Sequence, residues 1–178
     1  AINIDDDDAL LEASLTNGDS NVILANRKGR AIRFHEDEVR DMGRNTTGVK
    51  GMELGDDNEL VDMVVLKNTH EATVLAISEN GYGKRSKVED YREQSRGGKG
   101  VITLKVTQKT GELIALKEVS DIDDLMVITE GGKVIRMNCG DIRTMGRNTQ
   151  GVRIMRLDSE GKIAAVTRVV NEEEDQTV

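Results

Sequence analysis

Apolar positions along this chain alternate in short runs and do not recur at helical spacing. The runs at 59–66 (ELVDMVVL), 72–79 (ATVLAISE), 84–88 (KRSKV) and 101–106 (VITLKV) are bounded by Gly, Asn and Asp. Richness in Val, Ile, Leu and Thr between such punctuators predicts short β-strands. The runs at 112–119, 125–130, 133–137 and 152–157 repeat that set, and 10–16, 21–26, 30–34 and 49–54 form an earlier one. A last run, 162–170, repeats only the first member of a set. Between second and third runs, NRKG, ENGYG and EGG predict tight hairpins in which glycine supplies a positive φ. No stretch sustains the i, i+3, i+4 stripe of an amphipathic helix. The expectation is an all-β chain of three four-stranded units plus one strand.

Fixed markers recur along these units. Each carries Gly followed by a basic residue (Gly29-Arg30, Gly83-Lys84, Gly132-Lys133) and later Gly-Val (Gly48-Val49, Gly100-Val101, Gly151-Val152). The Gly-Val pairs lie 52 and 51 residues apart, and the middle copy is two residues shorter between its markers. Four strands in about 50 residues predict radial blades in a propeller-like array. Such rings need about four to eight blades, so the chain reads as part of a larger ring or spiral, cut from a longer polypeptide or assembling with itself. Its start at Ala1, without an initiator Met, agrees with a fragment or processed product.

Composition narrows the class. The 178 residues are 33% charged and 37% hydrophobic, as expected of one soluble globular domain. No apolar run approaches the roughly 18 residues that span a bilayer, no signal peptide is visible, and no membrane partner is expected. One cysteine, Cys139, excludes an internal disulfide and suits a reducing compartment. The formal charge of -8 conceals a segregation. Windows 27–50, 83–105 and 132–156 hold 20 Lys and Arg against 8 Asp and Glu, a net of +12, so the rest carries -20. Much of that acid is DDDD (5–8), read as part of a flexible start over 1–8, and EEED (172–175), in a flexible tail over 171–178. The tail is a candidate competitor with a polyanionic ligand for the basic surface.

The basic windows centre on the connection between third and fourth runs. Aligned copies carry an arginine twice: Arg40, Arg92 and Arg143, then Arg44, Arg96 and Arg147. Lys50, Lys99, Arg153, Arg30, Lys84, Arg85 and Lys133 flank them, and Gly43, Gly97, Gly98 and Gly146 let backbone approach another chain. In a radial array like loops share one rim, so the blocks merge into a basic arc suited to a polyanion with a regular backbone. Met42, Val49, Met145 and Val152 in these loops read as core anchors. The only aromatics are Phe34, Tyr82 and Tyr91, too few for the stacking platforms of single-strand binders. Tyr91 reads as a packing residue, and no recognition helix or finger is present to read sequence. Catalysis finds no constellation. His35 and His70 lie far apart beside Glu36 and Glu71, read as exposed, and with one cysteine they make no zinc spacing. Asp5 to Asp8 read as a solvated run, with no metal site expected.

The box QSRGGKG, from Gln94 through Ser95, Arg96, Gly97, Gly98 and Lys99 to Gly100, now carries a resemblance. It is similar to the seven-residue box of the DNA gyrase A subunit, Gln-Arg/Lys-Arg-Gly-Gly-Lys/Arg-Gly, and departs from it at Ser95. MGRNTTGV (42–49) and MGRNTQGV (145–152) resemble the diverged boxes of later blades. The resemblance runs over roughly 9–170 and implies the C-terminal DNA-wrapping domain, a six-bladed β-pinwheel. With Ser95 in place of a cation, the chain resembles the latter half of that domain. The resemblance implies non-sequence-specific bending and wrapping of duplex DNA in support of negative supercoiling. The partners it implies are the remainder of the gyrase A subunit, with the gyrase B subunit, in the bacterial cytoplasm at the nucleoid. It also implies that this domain needs no cofactor, since ATP, Mg and the cleaving tyrosine belong to the rest of the enzyme. Two alternatives stand beside it: the equivalent domain of topoisomerase IV, and a propeller-like module whose rim binds an acidic protein.

Overall fold

In the computed structural model the described residues are 2–66, 72–157 and 161–170. His70, Glu71 and the acidic stretch 171–178 lie outside them. Among the described residues eleven strands form three antiparallel sheets. The strands are β1 (Asn21–Asn26), β2 (Arg30–His35), β3 (Leu60–Leu66), β4 (Thr73–Ser78), β5 (Tyr82–Lys87), β6 (Val101–Ile102), β7 (Leu113–Val119), β8 (Asp124–Thr129), β9 (Val134–Asn138), β10 (Val152–Arg153) and β11 (Ile163–Val169). The sheet orders are β3-β1-β2-β6, then β10-β5-β4-β7, then β11-β8-β9.

The sheets differ from the units read off the sequence. Each keeps one hairpin from its own unit (β1–β2, β4–β5, β8–β9) and takes an inner strand from the first run of the next unit (β3, β7, β11). The outer strands β6 and β10 come back from the next unit's long connection. Each sheet is therefore completed by strands of the following unit. The runs at 10–16 and 49–54 were expected as strands of the first unit, and neither forms one. They are the counterparts of β3 and of β6, so their pairing partner would be a preceding hairpin, and none exists among the described residues. A strand without a neighbour leaves its backbone groups to water. Among the described residues the third sheet has three strands, and none pairs with the outer edge of β9. The fourth runs are also shorter than expected, two paired residues each in β6 and β10.

The hairpin glycines correct the alignment of the middle copy. Gly29, Gly81 and Gly132 sit at equivalent turns with φ of 79°, 77° and 78°. Gly81, not Gly83, is therefore the marker, and each copy spans 19 residues from turn glycine to Gly-Val (29 to 48, 81 to 100, 132 to 151). The apparent two-residue deficit disappears. Register confirms the shift, since Ala31 and Gly83 occupy the same place opposite Ala25 and Ile77.

Alternate residues of a strand face opposite sides of a sheet, and here both sides of the middle sheet are covered. Val74 and Ala76 of β4 join Ile23, Ala25, Leu66 and Leu113 between the first two sheets. Leu75 and Ile77 join Ala115, Leu125, Val127 and Ile163 between the second and third. Two-sided burial explains why the four central positions of β4, Val74 to Ile77, are all apolar. Asp62, buried in β3, accepts from the Leu116 amide at 2.9 Å and from Lys117 Nζ at 2.9 Å, which couples the inner strands of adjacent sheets. β3 packs on β7 and β7 on β11, so the inner edges of adjacent sheets meet, and the long loops lie along the opposite edges.

Candidate nucleic-acid interface

Each long connection begins with a 3-10 turn (Glu36–Glu38, Val88–Asp90, Cys139–Asp141). The second and third then cross to the sheet before them. The residue after the turn is the plug: Tyr91 and Ile142 are buried, whereas the equivalent Val39 is exposed. Tyr91 fills the core with its hydroxyl 2.5 Å from Thr103 Oγ1, and burial pushes its pKa up to about 12. It packs as the sequence suggested. The loop then follows the third strand of the preceding sheet, with the Gln94 amide on the Arg33 carbonyl (2.8 Å) and the Met145 amide on that of Arg85 (2.8 Å). At its far end Gly100 and Gly151 have positive φ. A Cβ on Gly151 would lie 2.7 Å from the Gly83 carbonyl oxygen, and Gly100 is tighter still. These glycines serve a close backbone crossing. Of the methionines and valines read as anchors, Met42, Val49 and Met145 are half-buried and Val152 is exposed. The buried anchors are Met52, Leu104 and Met155, each four residues after the loop's last glycine.

The paired arginines divide into two kinds. The first of each pair, Arg40, Arg92 and Arg143, is exposed. The second is a fastener. Arg96 donates through Nε to the Glu38 carbonyl (2.8 Å) and through Nη1 to that of Lys50 (2.9 Å). Arg147 does the same one unit on, to Asp90 (2.9 Å) and Ile102 (2.8 Å). Arg44, their counterpart in the first loop, is exposed.

The other sequence-predicted cations separate likewise. Lys50, Lys133 and Lys99 are exposed, with Lys99 at 4.0 Å from Glu53. Arg153 is exposed and donates to the Tyr82 hydroxyl at 3.2 and 2.9 Å while its guanidinium lies over the ring. Arg30 turns inward onto the carbonyls of Lys99 (2.9 Å) and Gly100 (2.7 Å). Arg85 is buried, bonded to the Ile142 carbonyl (2.9 Å) and ion-paired with Asp121. Its counterpart Arg33, which the repeat pattern did not single out, reaches the Tyr91 carbonyl at 3.3 Å. Lys84 is 0% exposed, and its Nζ donates to the carbonyls of Gly146 (2.7 Å) and Arg147. Burial, reinforced by the charge of Arg147 and opposed by Asp90, pushes its pKa down to about 7. Within the box, Ser95 is exposed and Gln94, Gly97, Gly98 and Gly100 are half-buried. The exposed cations also include Lys87, Lys105 and Arg156, which lie outside the repeated loop positions and so escaped the alignment.

His35 corrects an expectation of exposure. Its side chain is only 23% exposed, with Nε2 3.2 Å from Asp19 and Nδ1 accepting from the Asp37 amide at 3.3 Å. Cys139 is buried, and desolvation pushes its thiol up to about 12. Among the described residues no three His, Cys, Asp or Glu side chains gather where they could hold a metal ion, and no helix is long and apolar enough to cross a membrane.

Sheets that are completed by strands of the following unit and present arginine–glycine loops along their outer edges define a β-pinwheel repeat domain. The chain belongs to the family described as DNA gyrase C-terminal domain, beta-propeller, which matches residues 20–67, 72–120 and 123–169. Each matched segment begins just before or at a hairpin and ends with the inner strand taken from the next unit, as in the sheets. The DNA gyrase A subunit of Salmonella typhimurium is 37% identical over 176 residues, and that of Staphylococcus aureus 38% over 177. Both alignments cover 99% of this chain and 20% of the relative, so the chain spans about a fifth of those proteins. The solved DNA gyrase A C-terminal domain superposes with a TM-score of 0.85 at 29% identity, covering 96% of this chain and 57% of that one. The C-terminal domain of DNA topoisomerase IV superposes at 0.87 and 25%, covering 94% and 52%.

Proposed function

We propose that the loops bind the phosphate backbone of duplex DNA and bend it along the outer edges of the sheets, without reading its sequence. In this reading the chain is a non-catalytic part of a gyrase A subunit. It supports negative supercoiling in the bacterial cytoplasm, while ATP, Mg, the B subunit, with the rest of the A subunit, supply the reaction. The observation that carries it is the exposed first arginine repeated at Arg40, Arg92 and Arg143, on loops whose second arginine is committed to the protein in the two copies that cross to a preceding sheet. Phosphate contacts position a duplex and carry little sequence information. Bending a 20–30 base-pair segment by 40–90° costs on the order of 1–6 kcal/mol, so contacts from several loops must act together.

Gel-shift titration with linear duplex at two salt concentrations tests the reading. Arg92→Ala with Arg143→Ala should weaken binding to all sequences alike and lower the salt slope by about 1 per lost contact. No shift at low salt overturns it. Relaxing a plasmid in the presence of the chain and measuring the residual supercoils then tests wrapping itself.

A further inference from the structure

The third loop, 142–151, is not built like the second. In the first and second loops the residue after the second arginine takes the left-handed conformation, Asn45 with φ 62° and Gly97 with φ 80°. Asn148 at the same place does not. The second loop hooks the Gly97 amide onto the Gly51 carbonyl at 2.6 Å; the counterpart between Asn148 and Thr103 is not formed. The bond one step further on is kept, Glu53 amide to Gly98 carbonyl in one case and Lys105 amide to Thr149 carbonyl in the other, both 2.9 Å. The change is therefore confined to the turn.

What lies beneath also differs. Register aligns Ile32, Lys84 and Ile135 on the third strands, opposite Leu24, Ala76 and Val127. Under the second loop, Ile32 supports Gly98, where an added Cβ would stand 3.5 Å from its Cδ1. Under the third, the Lys84 head group holds the carbonyls of Gly146 and Arg147, and Thr149 Oγ1 donates to the former at 2.9 Å. Ile135 has no loop over it among the described residues.

We infer that Lys84 is a positioning residue for the third DNA-facing loop: by donating to the Gly146 and Arg147 carbonyls it builds a turn that has neither a Gly-Gly pair nor a left-handed residue, and so sets how Arg143 is presented. The role in DNA binding rests on the function proposed above; the role in the loop does not. An amine donates to carbonyls in either protonation state. An aliphatic side chain would remove the Arg147 carbonyl's donor and leave the Gly146 carbonyl with Thr149 Oγ1 alone, and a partly buried carbonyl that loses its partner carries a penalty.

The test uses the intact chain with Lys84→Met, Lys84→Ile, and Lys84→Ile combined with Asn148→Gly and Thr149→Gly, which recreates the second loop's pairing. Amide hydrogen exchange at 143–150 should quicken about tenfold or more in both single variants, with 92–99 as an unchanged internal reference. The triple variant should recover protection. Unchanged exchange in Lys84→Met, or no recovery in the triple variant, overturns the inference. DNA titration separates the two readings. In the Lys84→Met background Arg143→Ala should cost less than in the parent, while Arg92→Ala should cost the same, the non-additivity expected of coupled groups. Faster exchange with Arg143→Ala costing nothing in either background would leave Lys84 in its role and defeat the DNA reading of this loop.

Discussion

Arg92 and Arg96 stand four residues apart in one loop and perform opposite tasks. Arg92 is exposed, and Arg96 spends its guanidinium on two carbonyls of the preceding unit. Arg96→Ala should therefore destabilise the fold by about 1.5–3 kcal/mol, the usual worth of hydrogen bonds to a charged group. Arg92→Ala should leave stability within about 0.5 kcal/mol and act on DNA affinity alone. Urea midpoints beside gel shifts tell the two apart, and a large stability loss in Arg92→Ala would contradict the division. Lys84 makes a pH prediction. Its folded pKa of about 7 lies below the roughly 10.4 of an unfolded lysine. Between those values the unfolded chain holds a proton that the folded chain has shed, so this group makes stability rise with pH across that window. The difference in urea midpoint between the parent and Lys84→Met should grow in the parent's favour from pH 7 to 10. A constant difference would mean that the carbonyls restore an ordinary lysine pKa.

At the scale of elements, period-two patterning made the hairpins and inner strands legible: β1, β2, β3, β4, β5, β7, β8, β9 and β11 fall within two residues of their sequence runs. Pairing was not legible, because a run such as 49–54 is identical in pattern whether or not a neighbouring hairpin is there to receive it. The site shows the same limit. Repeated spacing located Arg40, Arg92 and Arg143 and their partners, but an exposed arginine and one bonded to carbonyls look alike in sequence. Lys84 was read as a contact because it follows Gly83 in the repeated Gly-basic marker beside the arginine loops, and its burial follows only from the register of β5. Met52, Leu104 and Met155 could have been found by counting four residues from each Gly-Val glycine. The crossing points carry their own prediction. Gly151→Ala forces a Cβ at positive φ against the Gly83 carbonyl, so it should lower the melting temperature clearly. Gly146→Ala, which faces open space, should not.

For the whole molecule, an acidic total of -8 is compatible with a basic outer edge because the loops and the remainder carry opposite charge. Eight of the sequence-predicted cations are exposed: Arg40, Arg44, Lys50, Arg92, Lys99, Lys133, Arg143 and Arg153. If all met phosphates, the slope of log affinity against log salt would approach about -7. A slope steeper than that would require further cations such as Lys87, Lys105 or Arg156 at the interface. Completion of each sheet by the following unit has a consequence for the chain as a polymer. A cut in the exposed part of loop 91–100 would separate β1 to β5 from β6 to β11 covalently. Yet β6 would remain seated on β2, and β7 on β4. Limited proteolysis there should give two bands on a denaturing gel and a single peak in gel filtration, a molecule whose continuity resides in its dovetails as much as in its peptide bonds.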